Sequence, residues 1–323
     1  MRYPWLIVVL ILTLSPPAIG KEKNKKEERL PPAPIGWICL EKGTSDLMVP
    51  QPDFQKDTRH LVRGTICPVY KLKEKNGAQW AQVRAFNFDT GIVQTGWLET
   101  NQSRILPIDT YPADADVLRA LGAPFLDDFA ADHTDVTRFL VHQGQAPPAL
   151  VCFVFGGRIA IAKLVVLTRS QGKYVSSPPV DYSLNELNSG ISSVEIRALL
   201  GNGNECFITH EPFQSQMQIQ GVNVVIRRIE GDKLVTVWKA PVEYRNLSQY
   251  RAKVQILEPP ESNIGAPGTI TKGNVTYRPR GNGEDPVWKG KVEFFVLGRE
   301  KALDTVPFEK ACPWNGKGFT PLQ

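Results

Sequence analysis

The sequence predicts a mainly β protein, and three observations carry that prediction. Apolar residues come in short runs, several alternating with polar ones, as half-buried strands require. Turn signals such as Asn76-Gly77, Gly156-Gly157 and Gly231-Asp232 separate the runs. Glycine and proline number 26 each in 323 residues, a turn-rich composition. The hydrophobic fraction of 42% supplies packed cores, and the length allows about two domains. A net charge of +5 is too small to mark a nucleic-acid binder, so no nucleic-acid partner is expected. The composition excludes collagen, coiled coil, a polytopic membrane protein and a disulfide-dense miniprotein.

Residues 1–20 read as a cleaved signal peptide. Arg2 is the charged start, Trp5 to Leu14 the apolar stretch, and Ala18-Ile19-Gly20 the small-residue cleavage site after Pro16-Pro17. Ten apolar residues span about 15 Å as a helix, half of a hydrocarbon core, so no transmembrane segment is expected after cleavage. Residues 21–34, with Lys21 to Arg29 (KEKNKKEER) and Leu30 to Pro34 (LPPAP), form a charged, proline-rich linker. The product would be secreted or periplasmic.

Over residues 35–107 five short strands follow one another: Gly36 to Leu40, Ile66 to Leu72, Gln79 to Phe86, Ile92 to Leu98, and an approach at Leu61-Val62. Asn76-Gly77 and Asp89-Thr90-Gly91 turn between them. Trp80, Gln82 and Arg84 alternate with Ala81, Val83 and Ala85. Such a run in about 70 residues predicts a small antiparallel barrel. Gly64-Thr65, the Trp80-Ala81-Gln82-Val83-Arg84 strand (W-x-x-V-R) and Gly96-Trp97-Leu98 together resemble a bacterial SH3-like (SH3b) domain. The resemblance implies a non-catalytic module of an exported protein that docks on cell-wall peptide or on another exported protein. It makes Trp80, Trp97 and Tyr70 the candidate ligand-binding residues. The two tryptophans either form an aromatic shelf or fill the barrel core and rim.

Residues 108–323 predict a larger antiparallel β-rich domain, a sandwich or propeller-like set of sheets, with a short helical start. Asp114 is placed to N-cap a helix through Val117, Leu118 and Leu121, stopped at Gly122 and Pro124. Strands follow from Thr137 to Ala311. Two stretches, from Thr134 and from Ser193, share an order of strand, Gly turn, strand, long strand and Gly turn, and are similar to FG-GAP/VCBS-type β repeats. That family holds calcium in the first loop. Here the loops read His142-Gln143-Gly144-Gln145 and Gly201-Asn202-Gly203-Asn204-Glu205, with too few carboxylates for calcium.

No nucleophile elbow, zinc-helix, phosphate-binding or dinucleotide motif is present in the sequence. His210-Glu211 and the acidic run Asp127 to Asp135 around His133 come nearest to metal ligands, but convergent sites need about three, so no metal and no cofactor are expected. Trp288, Phe294, Phe295, Phe308, Trp314 and Phe319 either line a groove or fill strand cores. Export permits disulfides, and the expected pairs are Cys39–Cys67 and Cys206–Cys312, leaving Cys152 in the most apolar strand. The resulting expectation is an exported, non-enzymatic binding protein of the cell envelope, with peptidoglycan peptide or another exported protein as partner. The alternative is a cell-wall or carbohydrate-processing hydrolase that the SH3-like domain targets.

Overall fold

A computed structural model describes residues 33–40, 47–48, 59–88, 92–100, 104–122, 134–156, 161–183, 190–216, 218–248, 260–296 and 300–320. All of them belong to one compact unit, Ala33–Gln323. The leader at 1–20, most of the linker at 21–34, the acidic run at 127–133 and the strand expected at 253–257 lie outside the described residues. The chain is mainly β, with antiparallel sheets and one α-helix among the described residues, as its short alternating runs predict.

Strands β1 (Gly36–Cys39), β2 (Leu47–Met48) and β3 (Arg59–His60) come first, and β2 pairs with β3. Next are β4 (Thr65–Lys75), β5 (Ala78–Asn87), β6 (Ile92–Glu99) and β7 (Ile105–Leu106). After helix α1 (Asp114–Leu121) follow β8 (Thr134–Gln143), β9 (Ala146–Gly156), β10 (Ile161–Ser170), β11 (Lys173–Ser176) and β12 (Val180–Ser183). Apart from β2 and β3, these strands form one ten-stranded sheet. Asn76 and Gly77 take φ of 54° and 77°, the two left-handed residues that a two-residue hairpin demands.

The hydrogen-bond ladder crosses the expected boundary at 107/108. β4 pairs with β8 through Thr65–Phe139 and Ile66–Arg138, then takes up β5 from Val69 onward. One edge of β4 is thus divided between two partners. The series β6-β5-β4-β1-β7 has the expected antiparallel neighbours, but no pairing closes it into a barrel among the described residues.

The second sheet is a meander of seven strands, each paired to the next: β13 (Ser193–Arg197), β14 (Cys206–Gln216), β15 (Ile219–Glu230), β16 (Lys233–Asn246), β17 (Thr269–Arg280), β18 (Gly283–Phe294) and β19 (Asp304–Ala311). The two sheets share a core. Phe139, Phe153 and Leu164 of the first pack with Val194, Ile196 and Phe207 of the second, and the Phe139 and Phe207 rings meet at 5.3 Å. On the opposite face of the first sheet, Val117, Leu118 and Leu121 of α1 pack against Trp37, Cys152 and Val165. Asp114 is the first residue of α1, after an extended Ala113, and not the cap. Trp288, Phe294, Phe308 and Phe319 fill the second sheet's own core, so the core reading holds for these C-terminal aromatics.

The two glycine loops that the sequence suggests as separate repeats bind each other. Gln143 bridges Asn204, the Gly144 amide donates to Gly203 O (3.2 Å) and the Glu205 amide to His142 O (2.9 Å). The His142 amide returns a bond to Glu205 Oε2 (2.7 Å), and Arg63 Nη2 pairs with Glu205 Oε1 (2.8 Å). Both carboxylate oxygens of this buried side chain are occupied by donors from the protein, so it locks the sheets together instead of presenting a calcium ligand.

Neither expected disulfide forms, and no two cysteines lie within disulfide distance. For Cys39–Cys67 the register gives the reason. Cys67 stands opposite Ile38 and Cys39 opposite Ile66, so successive side chains send the two sulfurs to opposite faces. Cys39 packs with Trp37 and Ile66, and Cys67 with Val69 and Val83. Cys206 and Cys312 are both buried in the second sheet's core as thiols, one at the start of β14 and the other after the final strand.

Candidate functional site

A bulge in β4 builds the most distinctive surface. Val69 pairs with Val83 but Lys71 pairs with Gln82, so Tyr70 is the extra residue. A bulge re-aims the side chains around it. Before it, Cys67 and Val69 point into the small core with Ala81, Val83 and Leu98. After it, Lys71, Lys73 and Lys75 stand opposite Gln82, Trp80 and Ala78, away from that core. Across the next pairing Trp80 faces Glu99 and Gln82 faces Trp97. Trp80, Gln82, Arg84, Trp97, Glu99 and the three lysines therefore share one face of the β4–β5–β6 ribbon. Tyr70 joins them by hydrogen-bonding to Arg84.

The three residues expected from sequence do not contribute equally. Gln82 and Trp97 are 6% and 7% exposed, so the face is covered at that end and Trp97 is no open shelf. Tyr70 and Trp80 are half-buried, while Lys71 and Lys73 are exposed. The Trp80 indole N–H is enclosed with no hydrogen-bond partner.

Where β4 passes from β8 to β5, a polar notch opens between Thr65, Tyr70, Arg84, Asp114 and Asp135. Arg84 Nη2 contacts Asp135 Oδ1 at 2.7 Å, and Arg138 Nη2 contacts Asp114 Oδ1 at 2.5 Å. Burial pushes the Asp135 carboxyl and the Tyr70 hydroxyl above their ordinary values. The charge of Arg84 opposes that push, and the charge of Asp114 adds to it. The notch leaves about 20 Å³ for the centre of a water molecule, room for a water but not for a sugar ring.

A second, wider depression of about 520 Å³ lies between Arg63, the end of β13 and the Gly281–Glu284 turn. Arg197 occupies it. Its Nη1 bonds Glu195 Oε1 (3.0 Å), its Nη2 bonds Glu284 Oε1 (3.1 Å), its Nε bonds Glu284 Oε2, and its guanidinium lies 4.4 Å from the Tyr277 ring. The Arg197 bonds hold Glu284 below the ordinary carboxylate range, against the effect of burial. A glycosidase acid needs the opposite shift, so this carboxylate is suited to holding Arg197 and not to donating a proton.

His210-Glu211 is also committed to the fold. Glu211 Oε1 accepts bonds from Tyr182 (2.7 Å), Thr209 (2.6 Å) and Arg227 (2.7 Å), which join β12 to the second sheet, and burial lowers the His210 pKa. Burial raises the thiols of Cys152 and Cys206 to about 12, which leaves them protonated and unreactive. Among the described residues no three His, Cys, Asp or Glu side chains are grouped to hold a metal ion.

The lysine row was missed in the sequence although its signal is visible there: K-x-K-x-K at strand period places three charges on one face. Asp114 and Asp135 have no comparable signal, because their arginine partners are 24 and 51 positions away. No protein-family model, curated protein or solved structure matches the chain.

Proposed function

We propose that the chain is an exported binding protein that meets its ligand on the β4–β5–β6 ribbon. The observation that carries this reading is the convergence of Tyr70, Trp80 and Arg84 on one face beside three lysines. Aromatic surface with adjacent polar and charged donors is the usual make-up of a recognition patch. The apolar stretch Trp5 to Leu14 supports export, and the W-x-x-V-R and Gly96-Trp97-Leu98 pattern supports an envelope ligand of the SH3-like type. The test is retention of residues 33–323 on purified peptidoglycan and on envelope fractions, beside a Trp80→Ala variant. Retention of the wild type with at least a tenfold loss in the variant is the expected result. No retention on either material, or equal retention of the variant, overturns the reading.

A further inference from the structure

We infer that residues 313–320 are a releasable clip, and that the edge of β16 beneath it is a peptide-binding site for a main-chain donor and an aromatic side chain. Among the described residues β17 pairs with β16 only from Glu243 to Asn246, so the sheet parts along the rest of β16. On this stretch Val237 O accepts the Phe319 amide (3.0 Å) and Pro241 O accepts the Trp288 indole N–H (3.0 Å). Val237 is the extra residue of a bulge, since Ile226 pairs with Trp238 and Arg227 with Thr236. Such a residue is left out of the ladder, which turns its carbonyl over to Phe319.

The segment that supplies Phe319 is closed on itself. Trp314 bridges Phe319, the Thr320 amide donates to Pro313 O (3.0 Å), and Asn315 Oδ1 accepts the Lys317 and Gly318 amides (3.0 Å each). Beyond the Val237 bond it is held by the Trp314 amide on Asp285 Oδ1 (3.1 Å) and by the Arg228 guanidinium, 5.3 Å from the Trp314 ring. Its anchor is the Phe319 ring, 2% exposed in the core with Val237, Trp238 and Phe308. A unit closed by its own bonds and anchored by one ring can leave without unfolding the sheet. It would uncover a strand edge beside an aromatic seat. Peptides bind such edges by main-chain bonds, with pockets for side chains giving specificity. In place, the clip covers that edge against unwanted pairing.

Thiol labelling of native residues 33–323 reads the release. Cys312, next to the clip, is buried in the core that holds Phe319, whereas Cys152 is buried on the α1 side of the first sheet. Cys312 is expected to label about tenfold faster than Cys152. In Phe319→Ala it is expected to label about a hundredfold faster still, with Cys152 unchanged. Gly318→Ala keeps every core side chain, but its Cβ would meet Val237 O at 2.9 Å, so it is also expected to quicken Cys312 alone. A fluorescent peptide with the sequence of residues 313–320 is expected to bind Phe319→Ala about tenfold more tightly than wild type, by filling the vacated seat. The same peptide with alanine in place of its phenylalanine is expected to lose that gain. Labelling of Cys312 and Cys152 at one rate in wild type and both variants overturns the proposal. So does a peptide that binds wild type and Phe319→Ala alike, or neither.

Discussion

Arg138 carries a full charge at zero solvent exposure, and its neighbours answer it. Nε donates to Pro112 O (2.9 Å), Nη1 to Val136 O (3.1 Å) and Nη2 to Asp114, while the guanidinium lies 4.7 Å from the Trp37 ring. Trp37 in turn donates to Ile108 O (2.8 Å). One side chain thereby fixes the path from β7 into α1. Glu284 makes a comparable commitment nearer the surface, and there acidity reads it out. Its folded pKa lies below the ordinary 4.5, so its contribution to stability is complete above that pH and is lost as pH falls through the lowered folded value. Urea unfolding of wild type and Glu284→Gln is expected to show a stability gap at about pH 7 that narrows steadily below pH 4.5, softened by solvent at this partly exposed pair. A gap that stays constant into acid would remove the Arg197 bond as its cause. At this scale the sequence shows Trp80 and Arg84, whose motif is contiguous. It hides Arg138, because nothing local distinguishes a buried arginine from an exposed one until its partners are in place.

Strand pairing decides what the residues alone leave open. The disulfide expectation for Cys39 and Cys67 failed on a register offset of one residue, a quantity that spacing along the chain does not contain. The W-x-x-V-R strand was legible because its alternation survives intact in β5. The end of β4 was missed, because Lys71 to Lys75 alternates in charge and carries no apolar period, and the strand runs on to the hairpin turn. In the second sheet, Gly273 stands opposite Gly290, and the two backbones approach closely. A Cβ on Gly290 would meet Lys272 O at 2.4 Å and the Gly273 Cα at 2.6 Å, both backbone atoms with little freedom to give way. Gly290→Ala is expected to destabilise the protein by about 1–3 kcal/mol, the usual range for overpacking, measured as a lowered urea midpoint. An unchanged midpoint would mean that β17 and β18 separate at no cost.

For the molecule as a whole, the two sheets are expected to unfold together, because they share the Phe139–Phe207 core and the Arg63–Glu205–His142 connection. Residues 35–107 alone would leave the Thr65–Ile66 edge unpaired and would expose Phe86, whose ring packs 5.3 Å from Phe153 and 5.0 Å from Phe155. That fragment is expected to give a collapsed, poorly dispersed amide spectrum, while residues 33–323 melt in one transition. A well-dispersed spectrum from 35–107 would show that β8 is dispensable to it. The antiparallel β class was legible from alternation and turns. The joining of 35–107 to 108–323 was not, since β4 and β8 meet across more than 60 residues of chain. The bulge at Tyr70 has one more consequence. Up to it, β4 supplies side chains that the interior needs, and after it no residue from Lys71 to Lys75 is buried. The outer half of the strand is thus paired to β5 without contributing a buried side chain to the interior. Exchanges of charge or size there leave the packing of the interior as it is, because none of these side chains enters it.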